Sequence, residues 1–153
     1  MRNTWFIDID GTIVKHKSNE QLDERLDFLS KKQNVFPYGS SKIDDPLLLE
    51  EEILAGVNDF WLKIPEKDVI ILTTAREYRH KWLTEQMLSS FDLRYDQIIF
   101  AIGSNKRFLI NDREPFKKGR ERPSLSPLSD KAVSINVDRD EGLSNSYWVF
   151  THT

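Results

Sequence analysis

The sequence contains no cysteine, only three histidines and two methionines, and no long apolar run. Without cysteine, thiol catalysis, cysteine-ligated zinc and iron–sulfur clusters are excluded. His16, His80 and His152 lack the spacing of metal ligands, and His80 is predicted to lie on an exposed helix face. No apolar stretch approaches the roughly 18 to 20 residues that a membrane helix requires. With no secretory leader before the first strand-like run, these absences favour a cytoplasmic protein that does not act at a membrane.

An excess of charge of either sign is also lacking. The 153 residues include 22 Lys and Arg against 25 Asp and Glu, which gives a net charge of -3. This balance argues against a generally basic nucleic-acid-binding protein. A chain of this length buries enough apolar surface to fold without disulfides or structural zinc. Residues 1–153 are therefore predicted to form a single domain.

Short apolar segments predict the strands of a mainly parallel sheet. They comprise residues 5–7, 69–73, 97–101, 107–110 and 132–137. The second, Val69–Thr73, is β-branched and continuous rather than alternating, as in a strand that is covered on both faces. Acidic residues and Gly11 follow the first strand directly, which predicts a turn and a cluster of charge at its carboxyl end.

Two helices are predicted between these strands. Apolar side chains recur at helical spacing over residues 54–64, and this pattern ends before Pro65. After the second strand, Thr74 is a candidate cap for a helix over residues 75–90. Alternating strands and helices predict an α/β fold, a Rossmann-like three-layer sandwich that binds its ligand beyond the carboxyl ends of the strands.

Residues 13–46 are the least regular part of the chain and are predicted to be a small insertion, or flap, after the first strand. Leucines at i, i+4 and i+7 within residues 19–33 favour a short amphipathic helix. The segment is too short for a core of its own, so we expect it to pack near the strand ends. Residues 143–153 are either a strap over the core or a frayed end.

Two carboxylates, Asp8 and Asp10, lie two residues apart at the predicted end of the first strand. Such neighbours repel unless a cation lies between them or one of them takes a proton. An ionised Asp can attack phosphorus and form an aspartyl-phosphate, while a neighbouring Asp protonates the leaving oxygen and later activates water. Gly11 lets the backbone approach a phosphate closely, and with Thr12 it forms the candidate substrate-binding turn.

These residues resemble a known family. Phe6–Thr12 is similar to the first motif, hhhDxDGT, of the haloacid-dehalogenase-like superfamily of phosphohydrolases. Ile70–Arg76 resembles its second motif, a strand that ends in Thr or Ser, whose hydroxyl holds the transferring phosphoryl group beside a helix N-terminus. Thr74 aligns with that hydroxyl residue because a small residue and an arginine follow it, and Thr73 is the alternative.

The later motifs of the family follow in order. Lys106 resembles the lysine that neutralises both phosphate and nucleophile, with the adjacent Arg107 as the alternative. Leu109–Arg113 resembles the fourth motif, in which Asp112 is the metal-binding acid. Many members have two acids in this motif, whereas this chain has Asn111 beside Asp112. An amide oxygen also ligates a hard cation, so we expect magnesium binding to survive.

The resemblance implies a role for each of these side chains. Asp8 would be the nucleophile and a magnesium ligand, and Asp10 the general acid and base that ligates magnesium through its main-chain carbonyl. Asp112 would be the third ligand, and Mg²⁺ would shield the phosphate dianion from Asp8. The implied catalytic residues are Asp8, Asp10, Thr74 and Lys106.

Arginines and a basic segment are further candidates. Arg76 follows Thr74 and Arg113 follows Asp112, so each is a candidate to hold a phosphate or sugar oxygen, with an ordinary ion pair as the alternative. Residues 106–122 hold seven basic side chains against three acidic ones, a local net charge of +4 in a chain whose remainder carries -7. The segment is either a rim that attracts a polyanionic substrate or a solvated loop.

The resemblance therefore implies a magnesium-dependent phosphatase that acts through an aspartyl-phosphate. Because only residues 13–46 and short loops are available as a cap, the chain resembles the small capless subgroup. Members of that subgroup with similar motifs are associated with sugar phosphates for surface polysaccharide biosynthesis. We expect a small phosphorylated substrate, and an open site that suits closure by another subunit of a homo-oligomer.

Two alternative functions stay open. The phosphatase domain of polynucleotide kinase-phosphatases has similar Asp-x-Asp-Gly-Thr and acid-Arg elements and acts on a nucleic-acid 3′-phosphate. The second alternative is a catalytically silent phosphate-binding module on the same fold. The joint presence of Asp8, Asp10, Lys106 and Asp112 counts against a silent module.

Overall fold

A three-stranded parallel sheet lies at the centre of the described chain. The computed structural model describes residues 1–32, 46–112 and 131–152. Its strands are β1 (Thr4–Asp8), β2 (Val69–Thr73) and β3 (Gln97–Ile99), in the order β1-β2-β3. The register sets Asp8 opposite Thr73, and Thr73 opposite Ile99. The carboxyl ends of the three strands therefore meet at one edge of the sheet.

Helices and short 3-10 turns connect the strands. The helices are α1 (Asn19–Ser30), α2 (Val57–Lys63), α3 (Lys81–Ser90) and α4 (Val149–His152), and the 3-10 turns cover Pro46–Leu49, Tyr78–His80 and Ser144–Ser146. The mixed α/β class with parallel strands and helical crossovers is confirmed. In the ranges that the structure describes, no helix combines the length and the apolar character needed to cross a membrane.

Local sequence explains where α1 and α2 begin. Ser18 caps α1 because its side chain accepts a hydrogen bond from the Gln21 amide (3.2 Å), and the Gln21 side chain accepts one from the Ser18 amide (2.9 Å). α2 begins after Gly56, whose φ of 74° lies in the left-handed region. Both helices fall inside the ranges predicted for them, 19–33 and 54–64.

One face of the sheet is buried and the other is partly open. Ile70 and Leu72 on β2 are completely buried in the core, together with apolar side chains of α2 and α3. Because side chains alternate along a strand, their neighbours lie on the opposite face. On that face Phe6 is 53% exposed and Ile99 is 42% exposed. The described residues therefore form a sheet with a helical layer on one side.

Two of the predicted strands are wrong. Residues 107–110 and 132–137 are described and form no strand. In the first of these segments, the Phe108 and Ile110 side chains are 85% and 94% exposed. An apolar run becomes a strand only where a neighbouring edge accepts its hydrogen bonds. Residues 107–110 instead lie across a cleft from β1, so no ladder forms.

The predicted helix over residues 75–90 begins with a 3-10 turn, Tyr78–His80, before α3. The prediction that His80 is exposed is wrong, because its side chain is completely buried. The His80 Nδ1 atom accepts a hydrogen bond from the Glu77 amide (3.1 Å), and its Nε2 lies 2.7 Å from Asp23 Oδ1 on α1. The imidazole therefore ties this turn to α1.

The beginning of the predicted insertion belongs to the core. Ile13 and Val14 are completely buried. Val14 forms an antiparallel bridge with Ile53, so this part of the segment is anchored beside the loop that follows β1. Of the predicted insertion, 13–46, residues 33–45 lie outside the described residues.

The C-terminal segment packs over the core. Of its two predicted arrangements, a strap over the core is confirmed and a frayed end is wrong. Leu143 and Val149 are buried. The Phe150 ring lies 5.4 Å from the ring of Trp5 on β1, measured between centroids. Residues 143–152 therefore cover the side of the sheet on which Trp5 lies.

Candidate active site

The loop after β1 carries the two predicted catalytic carboxylates. Asp8 is the last residue of β1, and the Ile9 amide extends the ladder by donating to the Thr73 carbonyl (3.1 Å). The chain then turns sharply, since the amides of Thr12 and Ile13 both donate to the Ile9 carbonyl (3.2 and 2.9 Å). This turn brings Asp8 and the residues that follow it to the edge where the strands end.

Gly11 gives this turn its shape. Its φ of 83° lies in the left-handed region, and a Cβ atom there would come within 3.1 Å of Arg139 Cγ. The Asp140 amide donates to the Gly11 carbonyl (2.9 Å), and Asp140 Oδ1 accepts a hydrogen bond from the His16 amide (2.7 Å). The turn is therefore held from outside by the segment around residue 140.

Asp8 lies in a partly buried, mixed electrostatic environment. Its side chain is 30% exposed. Thr12 Oγ1 donates to Asp8 Oδ2 (3.3 Å), and Arg107 Nη2 lies 3.1 Å from Asp8 Oδ1. Burial raises the pKa of Asp8; the Arg107 guanidinium opposes that rise, and the negative charge of Asp10 adds to it. A nearby cation would favour the ionised form that a nucleophile needs.

Asp10 is held more rigidly than Asp8. Its side chain is 13% exposed. The Arg76 guanidinium donates hydrogen bonds to both carboxylate oxygens, from Nη2 to Oδ1 (2.8 Å) and from Nε to Oδ2 (3.0 Å). Thr74 Oγ1 donates to Asp10 Oδ2 (3.3 Å) and accepts a hydrogen bond from the Arg76 amide (3.0 Å). The loop after β2 thus fixes the carboxylate of the loop after β1.

Arg76 is buried beneath the site and forms ion pairs on two sides. Its side chain is 1% exposed, as is that of Glu51, whose Oε2 lies 2.9 Å from Arg76 Nη1. Burial disfavours the charged guanidinium, but the hydrogen bonds and charges of Asp10 and Glu51 outweigh it and raise the pKa of Arg76. The sequence predicted that Arg76 contacts the substrate, with an ion pair as the alternative. The structure shows ion pairs with Asp10 and Glu51.

A cleft of about 810 Å³ opens in front of Asp8. Asp8, Thr12 and Thr73 line one side of it, and the exposed segment Lys106–Leu109 lines another. Thr74 is completely buried, whereas Thr73 borders the cleft and lies next to Asp8 in the sheet register. The alternative threonine, Thr73, is therefore the one whose position suits contact with a substrate.

Of the two adjacent basic residues, the structure brings Arg107 to Asp8. Lys106 also lines the cleft and is exposed. The Arg107 side chain is 41% exposed, so its guanidinium remains open to solvent while it pairs with Asp8. A guanidinium in that position has donors for the Asp8 carboxylate and for an incoming anion.

The described part of the predicted fourth motif, residues 109–112, is exposed. The Asp112 side chain is 75% exposed and lies 4.0 Å from Lys131 Nζ. Asn111 is exposed, and its side-chain amide donates to the Asp112 carbonyl (3.4 Å). Arg113 lies outside the described residues. The structure thus shows Asp112 paired with Lys131, and Asp10 with Arg76 and Thr74.

The oxygen donors of the loop after β1 suit a magnesium ion. Mg²⁺ usually takes one or two protein carboxylates and completes its shell with water and substrate phosphate. The Asp8 carboxylate, with the main-chain carbonyl of Asp10, is a donor set of that kind, and a cation would offset the burial that raises the pKa of Asp8. Across residues 1–32, 46–112 and 131–152, no three acidic or histidine side chains converge on one point.

Glu51 is the functional candidate that sequence reasoning missed. It lies in the run Glu50-Glu51-Glu52, which is typical of a solvated surface. Its burial depends on Arg76, 25 residues further along the chain. The single available signal was the apolar sequence on both sides of the run, which predicts that part of it turns inward.

Comparisons with protein-family models, with curated proteins and with solved structures found no match for this chain.

Proposed function

We propose that this protein is a magnesium-dependent phosphatase that hydrolyses a phosphomonoester through an aspartyl-phosphate intermediate. The observation that carries the proposal is the pairing of an accessible carboxylate with a fixed one. Asp8 borders an open cleft beside a guanidinium, and Asp10 two residues later is held by Arg76 and Thr74. Nucleophilic phosphoryl transfer needs one carboxylate to attack and another to move protons.

In the first step, an Asp8 carboxylate oxygen attacks phosphorus and the ester bond to the leaving oxygen breaks. The leaving oxygen takes a proton from Asp10, which enters this step as the neutral acid and leaves it as the carboxylate that Arg76 holds. In the second step, Asp10 takes a proton from a water molecule, which attacks phosphorus and releases inorganic phosphate and the Asp8 carboxylate. Attack and proton transfer are thus divided between two side chains with different surroundings.

Cationic and hydroxyl groups around the cleft complete the proposed site. The Arg107 guanidinium is 3.1 Å from Asp8 and half exposed, so it is suited to hold the phosphate oxygens during transfer. The Thr73 hydroxyl, at the end of β2, is the proposed second contact. Bound magnesium would lower the charge repulsion between the phosphate dianion and Asp8.

We also propose that the complete fold is a Rossmann-like three-layer sandwich. The open face of the sheet carries the apolar side chains Phe6 and Ile99, which are 53% and 42% exposed. Burial of such side chains under a second helical layer would be favourable. We propose a small sugar phosphate as the substrate, because Asp8, Thr73 and Arg107 at the cleft offer charged and hydroxyl groups to phosphate and sugar oxygens.

The test is magnesium-dependent phosphate release from sugar phosphates, nucleotides and 3′-phosphorylated oligonucleotides. Asp8→Asn should reduce release by at least about 10³-fold, since the amide is a poor nucleophile. Asp27→Asn is the matched control, because Asp27 lies on an exposed face of α1 and pairs with Lys31. That control should keep wild-type activity.

The panel also separates the alternatives. Preference for oligonucleotide ends, with a steep fall in activity as salt rises, would indicate a polynucleotide 3′-phosphatase. The basic side chains Lys106 and Arg107 at the cleft are the observation that favours this alternative. Binding of inorganic phosphate by a folded protein without turnover of any substrate would indicate the silent module, and would contradict the proposed function.

A further inference from the structure

A buried cluster of three charges lies directly behind the proposed site. It consists of Asp10, Arg76 and Glu51, whose side chains are 13%, 1% and 1% exposed. Asp10 belongs to the proposed chemistry, whereas Glu51 has no role in it. Buried carboxylates are costly unless they are paired, so a buried Glu51 needs an explanation.

The contacts of Arg76 account for all three of its guanidinium nitrogens. Nε and Nη2 hold the Asp10 carboxylate, with separations of 3.0 and 2.8 Å. Nη2 also donates to Glu51 Oε1 (3.0 Å), while Nη1 lies 2.9 Å from Glu51 Oε2 and donates to Thr84 Oγ1 (3.1 Å). One edge of the guanidinium thus faces Asp10, and the other faces Glu51 and α3.

These contacts leave Arg76 no direction in which to meet a substrate. Arg76 lies two residues after Thr74, so a phosphate dianion bound at that loop would attract its guanidinium. The Glu51 carboxylate and the Thr84 hydroxyl hold Arg76 in place from the side opposite Asp10. Thr84 is itself fixed, because its hydroxyl donates to the His80 carbonyl (2.8 Å).

We infer that Arg76 and Glu51 are positioning residues for Asp10 and that Arg76 does not bind the phosphate. This inference rests on the proposed phosphatase function. A lone carboxylate rotates about its last side-chain bond, and a two-point contact with a guanidinium stops that rotation. Asp10 must point one oxygen at the leaving group, and a misplacement of about 1 Å costs about 100-fold in rate.

The experiment compares two substrates whose leaving groups differ in their need for a proton. An aryl oxide leaves without help, so the first step with p-nitrophenyl phosphate depends little on Asp10. An alkoxide must be protonated as it leaves, so glycerol 2-phosphate depends strongly on Asp10. A residue that acts by orienting Asp10 should matter for the second substrate and much less for the first.

Glu51→Gln and Arg76→Lys are the test variants. Both should lower the single-turnover rate of glycerol release from glycerol 2-phosphate by about 10- to 100-fold, and that of p-nitrophenol release by less than about threefold. Single-turnover release is measured because hydrolysis of the shared intermediate needs Asp10 with either substrate. KM should change by less than about threefold for both substrates, because no phosphate contact is lost. Arg79→Lys is the matched control, since Arg79 is half exposed and pairs with Asp23, and it should leave both substrates unaffected.

Several results would overturn the inference. A rise in KM with kcat retained in Arg76→Lys would show that Arg76 binds the phosphate. Equal losses of the two single-turnover release rates would show a general structural role. If Arg76→Lys fails to fold, the same comparison with Glu51→Gln decides, since that substitution keeps the shape of the side chain.

A second measurement keeps this inference separate from the proposed function. If the wild-type protein hydrolyses neither substrate, the phosphatase proposal fails, and the arrangement of Arg76 is then read from its Nε–H signal in NMR spectra. Asp10→Asn and Glu51→Gln should each shift that signal, and saturating inorganic phosphate should leave it unchanged. A shift caused by inorganic phosphate would overturn the inference, because Arg76 would then face the ligand.

Discussion

At the scale of single residues, burial separates two arginines that have similar sequence surroundings. Arg76 and Arg107 each lie near a predicted phosphate-binding motif. Arg76 is 1% exposed and fully engaged by carboxylates, whereas the Arg107 side chain is 41% exposed and contacts Asp8 from the open cleft. A side chain can bind a substrate anion that arrives from solvent, and release the product, only if solvent reaches that side chain. Arg107 is therefore the residue we expect to meet the phosphate.

Replacement of Arg107 tests this expectation. Arg107→Ala should lower kcat/KM for phosphate release by about 10- to 100-fold, because a cation beside the proposed nucleophile, Asp8, is lost. Stability should change by less than about 1 kcal/mol, since an exposed ion pair contributes little. Steady-state kinetics and urea unfolding of the same preparation measure the two effects.

Lys106→Ala is the matched control for Arg107→Ala. Both side chains line the cleft, but the ion pair to Asp8 is formed by Arg107. We expect Lys106→Ala to reduce kcat/KM by less than about threefold. A larger loss of kcat/KM in Lys106→Ala than in Arg107→Ala would contradict this expectation. It would mean that Lys106 contacts the phosphate and that Arg107 only pairs with Asp8.

The candidate site could be predicted where its residues are adjacent in sequence. Asp8, Asp10 and Thr12 belong to one short motif after an apolar run, and the structure brings them together. Glu51 could not be predicted, because its burial depends on a distant arginine and its sequence neighbours are charged. The pairing of Asp112 with Lys131 could not be predicted either, since the two residues lie far apart in the sequence.

At the scale of elements, one carboxylate links α1 to the 3-10 turn Tyr78–His80. Asp23 on α1 accepts hydrogen bonds from Arg79 Nε (2.8 Å) and Arg79 Nη2 (2.9 Å), and lies 2.7 Å from His80 Nε2. Because His80 Nδ1 accepts from the Glu77 amide, the neutral ring carries its proton on Nε2 and donates it to Asp23. These contacts lower the pKa of Asp23 to about 2.

This lowered pKa predicts a pH-dependent contribution to stability. A carboxyl group whose pKa is lower in the folded state stabilises the protein only while it is ionised. The contribution of Asp23 should be complete at pH 7, and should disappear as the pH falls from about 4, the unfolded value, toward about 2. Asp23→Asn should lower the free energy of unfolding at pH 7 by about 1 kcal/mol or less, because the side chain is partly exposed.

Urea unfolding of wild type and Asp23→Asn at a series of pH values from 7 to 3 measures this contribution. The difference between the two proteins should shrink in the acid range. Asp27→Asn is the control within the same helix, since Asp27 is exposed and its ion pair, to Lys31, lies within α1. A difference between wild type and Asp23→Asn that stays constant with pH would contradict this role of Asp23.

Most elements were predictable because their patterns are local. β1, β2, α1 and α2 follow from apolar periodicity and capping residues, and the structure confirms them. The predictions of strands at 107–110 and 132–137 failed because a strand also needs a partner edge, which periodicity does not reveal. His80 was misjudged for a similar reason, since its burial requires α1 to pack against its turn.

At the scale of the whole molecule, the C-terminal segment connects the core to the loop that carries Asp10. Leu143 is buried, and its amide donates to the Ala55 carbonyl (2.8 Å) just before α2. A few residues earlier, Asp140 bonds to Gly11 and Arg139 packs on it. One continuous segment therefore braces both α2 and the turn that shapes the proposed site.

Gly142, which lies between these two contacts, tests the connection. Its φ of 79° is left-handed, and a Cβ atom there would come within 2.1 Å of the Ala55 carbonyl oxygen. Gly142→Ala should therefore lower the free energy of unfolding by about 2 kcal/mol or more, measured by urea unfolding. It should also reduce phosphate release at temperatures where the protein is still folded, because the brace on Gly11 loosens with it.

Gly103→Ala is the control for that substitution, since a Cβ atom at Gly103 would meet nothing within 4 Å. It should change stability by less than about 0.5 kcal/mol. If Gly142→Ala matched this control in stability, the segment after residue 137 would not pack on Ala55 as described. If Gly142→Ala lost stability but kept full activity below its unfolding transition, the shape of the Asp10 turn would not depend on the C-terminal segment, and the sheet alone would hold the site together.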